Sequence, residues 1–177
     1  MNRPAPRNKA ALPWLLLGLL LAGCAGYSLG PTQGRQAGAQ SVFITPFANG
    51  TFEPRLSEPV TTSLRRQIQR DGTFRLETRE DGDPDVVLTG TIVDYQRRAT
   101  AFQAKDTRTA SEYLITITAK VKASERGNGR VLLDRTVSGH STVWVGNDLD
   151  SAERQGLPSV ADDLARNVTA LLSDGSW

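Results

Sequence analysis

The sequence predicts an α+β domain in which two helices pack on one face of a mixed, mostly antiparallel sheet of four to five strands. Three observations predict it. Several β-branched runs alternate apolar and polar residues at a period of two, as half-buried strands do. Two other stretches repeat apolar residues every three to four positions, as amphipathic helices do. Their order is strand, helix and strand, then longer strands separated by turn signals, then a closing helix.

The chain of 177 residues suits one compact core. Its start has three parts: the positive stretch "MNRPAPRNK", an apolar run from Ala10 to Ala22 broken by Pro13 and Gly18, and small residues before Cys24. Residues 1–23 therefore read as an export signal, since a membrane-spanning helix needs about 20 apolar residues and this run falls short. Cys24 is the only cysteine, so no disulfide can close within the chain. "LAGC" resembles the lipobox of bacterial lipoproteins, in which the cysteine is acylated on sulfur and becomes the first residue of the mature chain. Ala25 after it, in place of Asp, implies by the same resemblance onward transport to the outer membrane. Residues 24–40, rich in Gly, Gln and Ser, read as the acylated cysteine and its flexible tether.

Residues 41–177 then form a single domain. "SVFITPF", from Ser41 to Phe47, is the first strand, closed by the turn signal "ANG". A helix follows on the repeat Leu56, Val60, Leu64 and Ile68, with Ser57 as its N-cap and Gly72 as its stop, and with Pro54 left either in a turn before it or inside it. "TFRLET" is a second strand, which the acidic turn "EDGDPD" joins as a hairpin to "VVLTGTIVDYQ", Val86 to Gln96. In "SEYLITITAKVKA" the residues Tyr113, Ile115, Ile117, Ala119 and Val121 face a core, while Thr116, Thr118, Lys120 and Lys122 face the other way. A tight turn at Asn128-Gly129 leads to the last strand, Val131 to Val145. A loop from Gly146 to Pro158 then precedes a second helix, capped by Ser159 with Asp162 and buried along Val160, Leu164, Val168 and Leu171. With both helices on one face, the threonine-rich face of Thr89, Thr91, Thr116 and Thr118 is left to solvent or to a partner.

The residues carry no catalytic pattern. The one histidine, His140, neighbours Ser141, but adjacent strand residues point to opposite faces, and no G-x-S-x-G turn is present. One histidine and one cysteine make no zinc site, and the acidic turn departs from a calcium-binding loop, so no metal or cofactor is expected. Of the formal charge of +2, three positive charges belong to Arg3, Arg7 and Lys9, which leaves the remaining chain at −1. That is no footprint for nucleic acid, which calls for clustered basic residues in excess.

Taken together in this order, "CAGYSL", "VFITPFANGTFEPRLSEPVTTSLRRQI", "DPDVVLTGTIVDYQ", "EYLITITAKVKA" and the terminal amphipathic helix resemble the LptE family of lipopolysaccharide-assembly lipoproteins over nearly the whole mature chain. Many relatives run directly from Cys to Gly-Tyr, and Ala25 departs from that pattern. The resemblance implies a non-enzymatic, periplasm-facing outer-membrane lipoprotein. Such a protein plugs a β-barrel partner, LptD, assists its assembly and helps lipopolysaccharide reach the cell surface. It also implies two helices on a mixed sheet of about four strands.

Lipopolysaccharide carries phosphates, which directs attention to Arg97, Arg98, Lys105 and Arg108 between the two long strands, and to Lys120 and Lys122 beside them. These six cations are the candidate contacts to lipid phosphates or to a barrel wall, against the alternative of a solvated hairpin. A second function class stays open: a tethered lipoprotein that activates a periplasmic cell-wall synthase by docking on it. Recovery of an outer-membrane barrel or of a wall synthase from detergent separates the two.

Overall fold

The computed structural model describes residues 38–104, 106–146 and 148–174. The expected export signal, Cys24 and most of the tether lie outside them. The strands are β1 (Gln40–Ile44), β2 (Ala48–Asn49), β3 (Phe74–Glu77), β4 (Val86–Gln103), β5 (Asp106–Glu125) and β6 (Val131–Trp144); the helices are α1 (Ser57–Asp71) and α2 (Leu149–Ser173). One sheet runs in the order β3-β1-β4-β5-β6, and β2 lies beside β4 beyond the end of β1. Both helices cover one face of it, in the expected α+β arrangement. The sheet is mixed rather than mostly antiparallel. β1 pairs in parallel with β3 and with β4, and β2 in parallel with β4, while only the long pairings of β5 with β4 and with β6 are antiparallel.

The helical crossover between β1 and β3 appears as expected. The hairpin between β3 and β4 does not form, because β1 lies between them and takes both as parallel neighbours. The intervening segment, with its short 3₁₀ turn at Glu80–Gly82, connects strands on opposite sides of β1. Its end is tied to β1 by Asp85, whose carboxylate accepts from Ser41 N at 2.7 Å and from Ser41 Oγ at 2.8 Å. Those bonds hold the Asp85 carboxyl below its usual range.

α1 buries Val60, Leu64 and Ile68, with Leu56 just before it, so the fourfold spacing faces the core. Ser57 is its first helical residue rather than its cap; Leu56 holds the cap position without a side-chain bond. Thr61 secures this end instead, its Oγ1 donating to Ser57 O at 2.7 Å and accepting from Phe47 N at 3.0 Å. Gly72 stops the helix at φ +75, its N–H reaching Ile68 O. Pro54 lies in the turn that precedes the helix.

α2 begins ten residues earlier than Ser159, at Leu149, and Pro158 lies inside it. Its cap is Asp148, whose carboxylate accepts from Asp150 N and Ser151 N. The inner stripe runs through Glu153, Gly156, Val160, Leu164, Val168 and Leu172, a helical period that Pro158 does not interrupt because the ring stands on the exposed side. Leu171 is therefore on the outside, and Leu172 takes the buried position.

The core lies between these helices and the alternate residues of the sheet: Val42 and Ile44, Leu88 and Ile92, and Ile115, Ile117, Ala119, Val121 and Ala123. Fully burying a Leu or Ile contributes about 1.5–3 kcal/mol. α2 crosses β6 at Gly139, where a Cβ would stand 2.3 Å from the backbone nitrogen of Leu164. That approach lets Asp163 accept from His140 N at 3.0 Å and Asn167 Nδ2 donate to Ser138 O at 2.9 Å, so the helix closes the middle of an edge strand.

Gly139→Ala is expected to lower the free energy of unfolding by about 2–3 kcal/mol, read by urea denaturation, because the obstructing atoms are helix backbone that cannot step aside. Gly127→Ala, where a Cβ meets nothing within 4 Å, should change it by less than about 0.5 kcal/mol. Equal effects of the two would refute the close-approach account.

Candidate functional site

The face of the sheet turned away from the helices is built by the same alternation that builds the core. Where Ile117 and Ala119 point inward, Thr116, Thr118, Lys120 and Lys122 point outward. The register extends this row across both neighbours. Thr89, Lys122 and Asp134 form one rung, Thr91, Lys120 and Thr136 the next, then Asp94, Thr118 and Ser138, and then Gln96, Thr116 and His140. Hydroxyls link across it, Thr118 Oγ1 and Ser138 Oγ standing 2.9 Å apart, and Gln96 Nε2 donates to Asp94 Oδ2 at 2.7 Å. The surface is a polar plate of hydroxyls with both signs of charge. Apolar side chains join it at its two ends: Phe43, Val87 and the half-exposed Val131 at one, Leu114 and the largely exposed Trp144 at the other.

The candidate cations separate. Arg98 pairs in register with Leu114 and lies on the open face with Lys120 and Lys122. Arg97, its chain neighbour, necessarily faces the helices, where Nη1 meets Glu153 Oε2 at 2.8 Å. Arg108 is exposed on the far part of β5, and Lys105 lies outside the described residues. The stretch from Arg97 to Arg108 is thus mostly strand rather than a loop, because β4 and β5 continue as a two-stranded arm beyond the last rung of β6, Glu112 with Trp144. Phe102 is half exposed near its end.

Glu153 is the residue that sequence reasoning missed. It occupies a position of the buried stripe of α2, is 7% exposed, and accepts from the Tyr95 hydroxyl as well as from Arg97. Burial pushes its carboxyl above the ordinary range, and the like charge of Glu53 adds to this. Beside it opens a cleft of about 400 Å³ edged by Glu53, Arg55, Asp150 and Arg154. The sequence signal that could have found it is Asp148 followed three residues later by Ser151, a helix start that the Ser159 pattern outcompeted.

His140 donates its backbone N–H to Asp163, and its Nδ1 lies 3.5 Å from the same carboxylate, so the imidazole is a neighbour of an edge cap. Burial opposes the Asp163 charge, yet the His140 N–H and Arg166 hold its carboxyl below the usual range. Among the described residues, no group of three or more His, Cys, Asp or Glu could hold a metal ion. Nor is any helix among them long and apolar enough to cross a membrane.

A family model described as LptE, lipopolysaccharide-assembly, matches residues 39–172. None of the curated proteins matches. Similar solved structures include a PelC dodecamer from Paraburkholderia phytofirmans, 21% identical, covering 82% of this chain and 95% of that one at a TM-score of 0.51. A protein from Xanthomonas campestris is 13% identical over 82% of this chain and 92% of its own, with a TM-score of 0.54. A candidate lipoprotein from Caulobacter crescentus is 13% identical over 75% and 87%, with a TM-score of 0.51. At these identities the likeness is one of fold.

A carboxyl held above its ordinary pKa binds its proton more tightly folded than unfolded, so its ionisation costs stability as pH rises from the unfolded value through the raised folded one. Glu153→Gln keeps an acceptor for the Tyr95 hydroxyl and carries no charge. The difference in unfolding free energy between variant and parent should therefore move in the variant's favour as pH is raised through that window, read by chemical denaturation at a series of pH values. A difference independent of pH would refute the assignment.

Proposed function

The chain belongs to the LptE lipopolysaccharide-assembly family, and from that premise we propose that it is an outer-membrane lipoprotein, anchored through an acylated Cys24, that plugs an LptD-like β-barrel and aids lipopolysaccharide transport to the cell surface. The observation that supports this most is the open sheet face. Barrel lumens are polar, and a plate of Thr, Ser and Lys with scattered acids can pack against such a wall without a dry apolar interface.

In this reading the domain is a noncatalytic wedge. Arg98, Lys120 and Lys122 on the plate and Arg108 of the arm, together with Lys105, are its contacts to lipid phosphates or to the barrel wall; Arg97 serves the fold through Glu153. The anchor supplies what the polar face lacks. Each buried acyl methylene contributes about 0.8 kcal/mol, so two or three chains hold the domain at the bilayer and raise its concentration near a membrane partner.

Purification of the full chain from native membranes in detergent is expected to bring down a heat-modifiable outer-membrane barrel. A wall synthase in its place would replace this function by enzyme activation. Cys24→Ala should release the protein from the membrane fraction and abolish incorporation of labelled fatty acid. A variant that still fractionates with membranes would overturn the anchor.

A further inference from the structure

Among the described residues, the fold treats the exposed edges of its sheet differently. β3 is four residues long. β6 has its middle capped by Asp163 and Asn167. β4 is bordered by β1 and then β2 only as far as Ile92, whose carbonyl accepts from Gly50 N at 2.9 Å. Beyond Ile92 no strand among the described residues lies on that side, although β4 runs on to Gln103.

The direction of the unused backbone groups follows from the register. Leu88 and Ile92, opposite Ala123 and Ala119 of β5, turn their carbonyls toward β1 and β2, accepting from Thr45 N and Gly50 N. After the irregularity between Ile92 and Asp94, the residues in the same phase are Tyr95, Arg97 and Ala99, opposite Ile117, Ile115 and Tyr113. Their N–H and C=O groups point away from β5. Past Glu112 no strand among the described residues flanks the arm on its other side either, and two-stranded ribbons are marginal in water. Next to the start of this edge the loop after β2 holds Phe52 fully in solvent. Asn49 fixes that loop, accepting from Thr51 N at 3.0 Å and donating to Glu53 O at 2.7 Å.

We propose that the outer half of β4, from Tyr95 to Ala99, is a strand-addition site for an extended, acidic segment of the barrel partner, with Phe52 as the apolar anchor beside it. The site rests on the barrel reading above. Charge selects the occupant: Arg97 is committed to Glu153, but Arg98 beside it makes no ion pair among the described residues and no acid lies from Tyr95 to Ala99, so a carboxylate-bearing strand is complementary to this stretch. A second copy laid antiparallel on the same edge would set arginines against arginines. The chain's own residues 25–37 hold no acid, and the described chain begins at Gly38, bonded to Thr73 O at the opposite end of the sheet.

Amide hydrogen exchange on the full chain, alone and in the complex purified with its barrel, tests this. The amides of Tyr95, Arg97 and Ala99 are expected to exchange quickly in the chain alone and at least tenfold more slowly in the complex. Gln96 and Arg98, which bond β5, should be protected in both. A complex in which the three amides stay fast overturns strand addition and leaves the barrel reading standing, whereas failure to recover any barrel overturns both. Protection in the chain alone also overturns the proposal, identifying a second copy if it grows with concentration and the chain's own tether if it does not. Ala99→Pro removes only an outward N–H, which an edge strand tolerates. Its melting temperature should stay within about 2 °C of the parent, while the barrel recovered with it falls at least tenfold; unchanged recovery contradicts the site.

Discussion

The structure depends on the alternation along β5. Because β5 is hydrogen-bonded on both sides, a slip of one residue would turn its whole set of isoleucines to water and its lysines into the core. That penalty fixes the register of β4 and β6 at once, and with it the identity of the two faces. The helices go where Ile115, Ile117, Ala119, Val121 and Ala123 point. The plate of hydroxyls and mixed charge is the other half of the same constraint.

On the helical side the fold is closed by close approach as well as by the apolar stripe of α2. Gly139 lets the backbone of α2 reach β6, and only at that distance can Asp163 and Asn167 bond the groups of an edge strand. Farther along, Glu153 ties the helix to Tyr95 and Arg97 of β4 by polar bonds. Desolvation makes such a buried group costly unless every bond is made, so this end of the helix is specified more than it is stabilised. The two ends of α2 thus rest on different physics, and the polar one faces the arm.

What was legible in the sequence was what neighbours in the chain decide. The spacing of Val60, Leu64 and Ile68, stopped by Gly72, marks α1 from local pattern alone, and the alternation from Tyr113 to Val121 marks β5. The pairing of β3 was not legible, because an acidic turn looks the same whether the next strand folds back or passes to the far side of β1. The first turns of α2 were hidden by Pro158 and by a glutamate inside the buried stripe, two residues that ordinarily argue against a helix interior. The arm between Arg97 and Arg108 was hidden for a simpler reason. It buries neither face, so no alternation is imposed on it, and a strand without alternation reads as loop. Had it been read as strand, the separation of Arg97 from Arg98 would have followed at once. The lipobox at Cys24 is readable as pattern and lies outside the described residues.

A polar docking face has to satisfy two conditions that conflict. Before it meets its partner it must stay solvated, which Thr, Ser and Lys achieve and an apolar face would not. After docking it must hold, yet exposed ion pairs and hydroxyl contacts contribute only about 0–1 kcal/mol each. Affinity on such a surface has to come from elsewhere: from main-chain bonds, which gain from an edge already ordered, and from confinement to the membrane plane, which turns a weak encounter into one of high effective concentration. The open edge of β4, the hydroxyl plate and the lipid anchor proposed at Cys24 answer these needs separately. Their presence in one chain of this size is the physical case for a tethered plug over a freely diffusing binder.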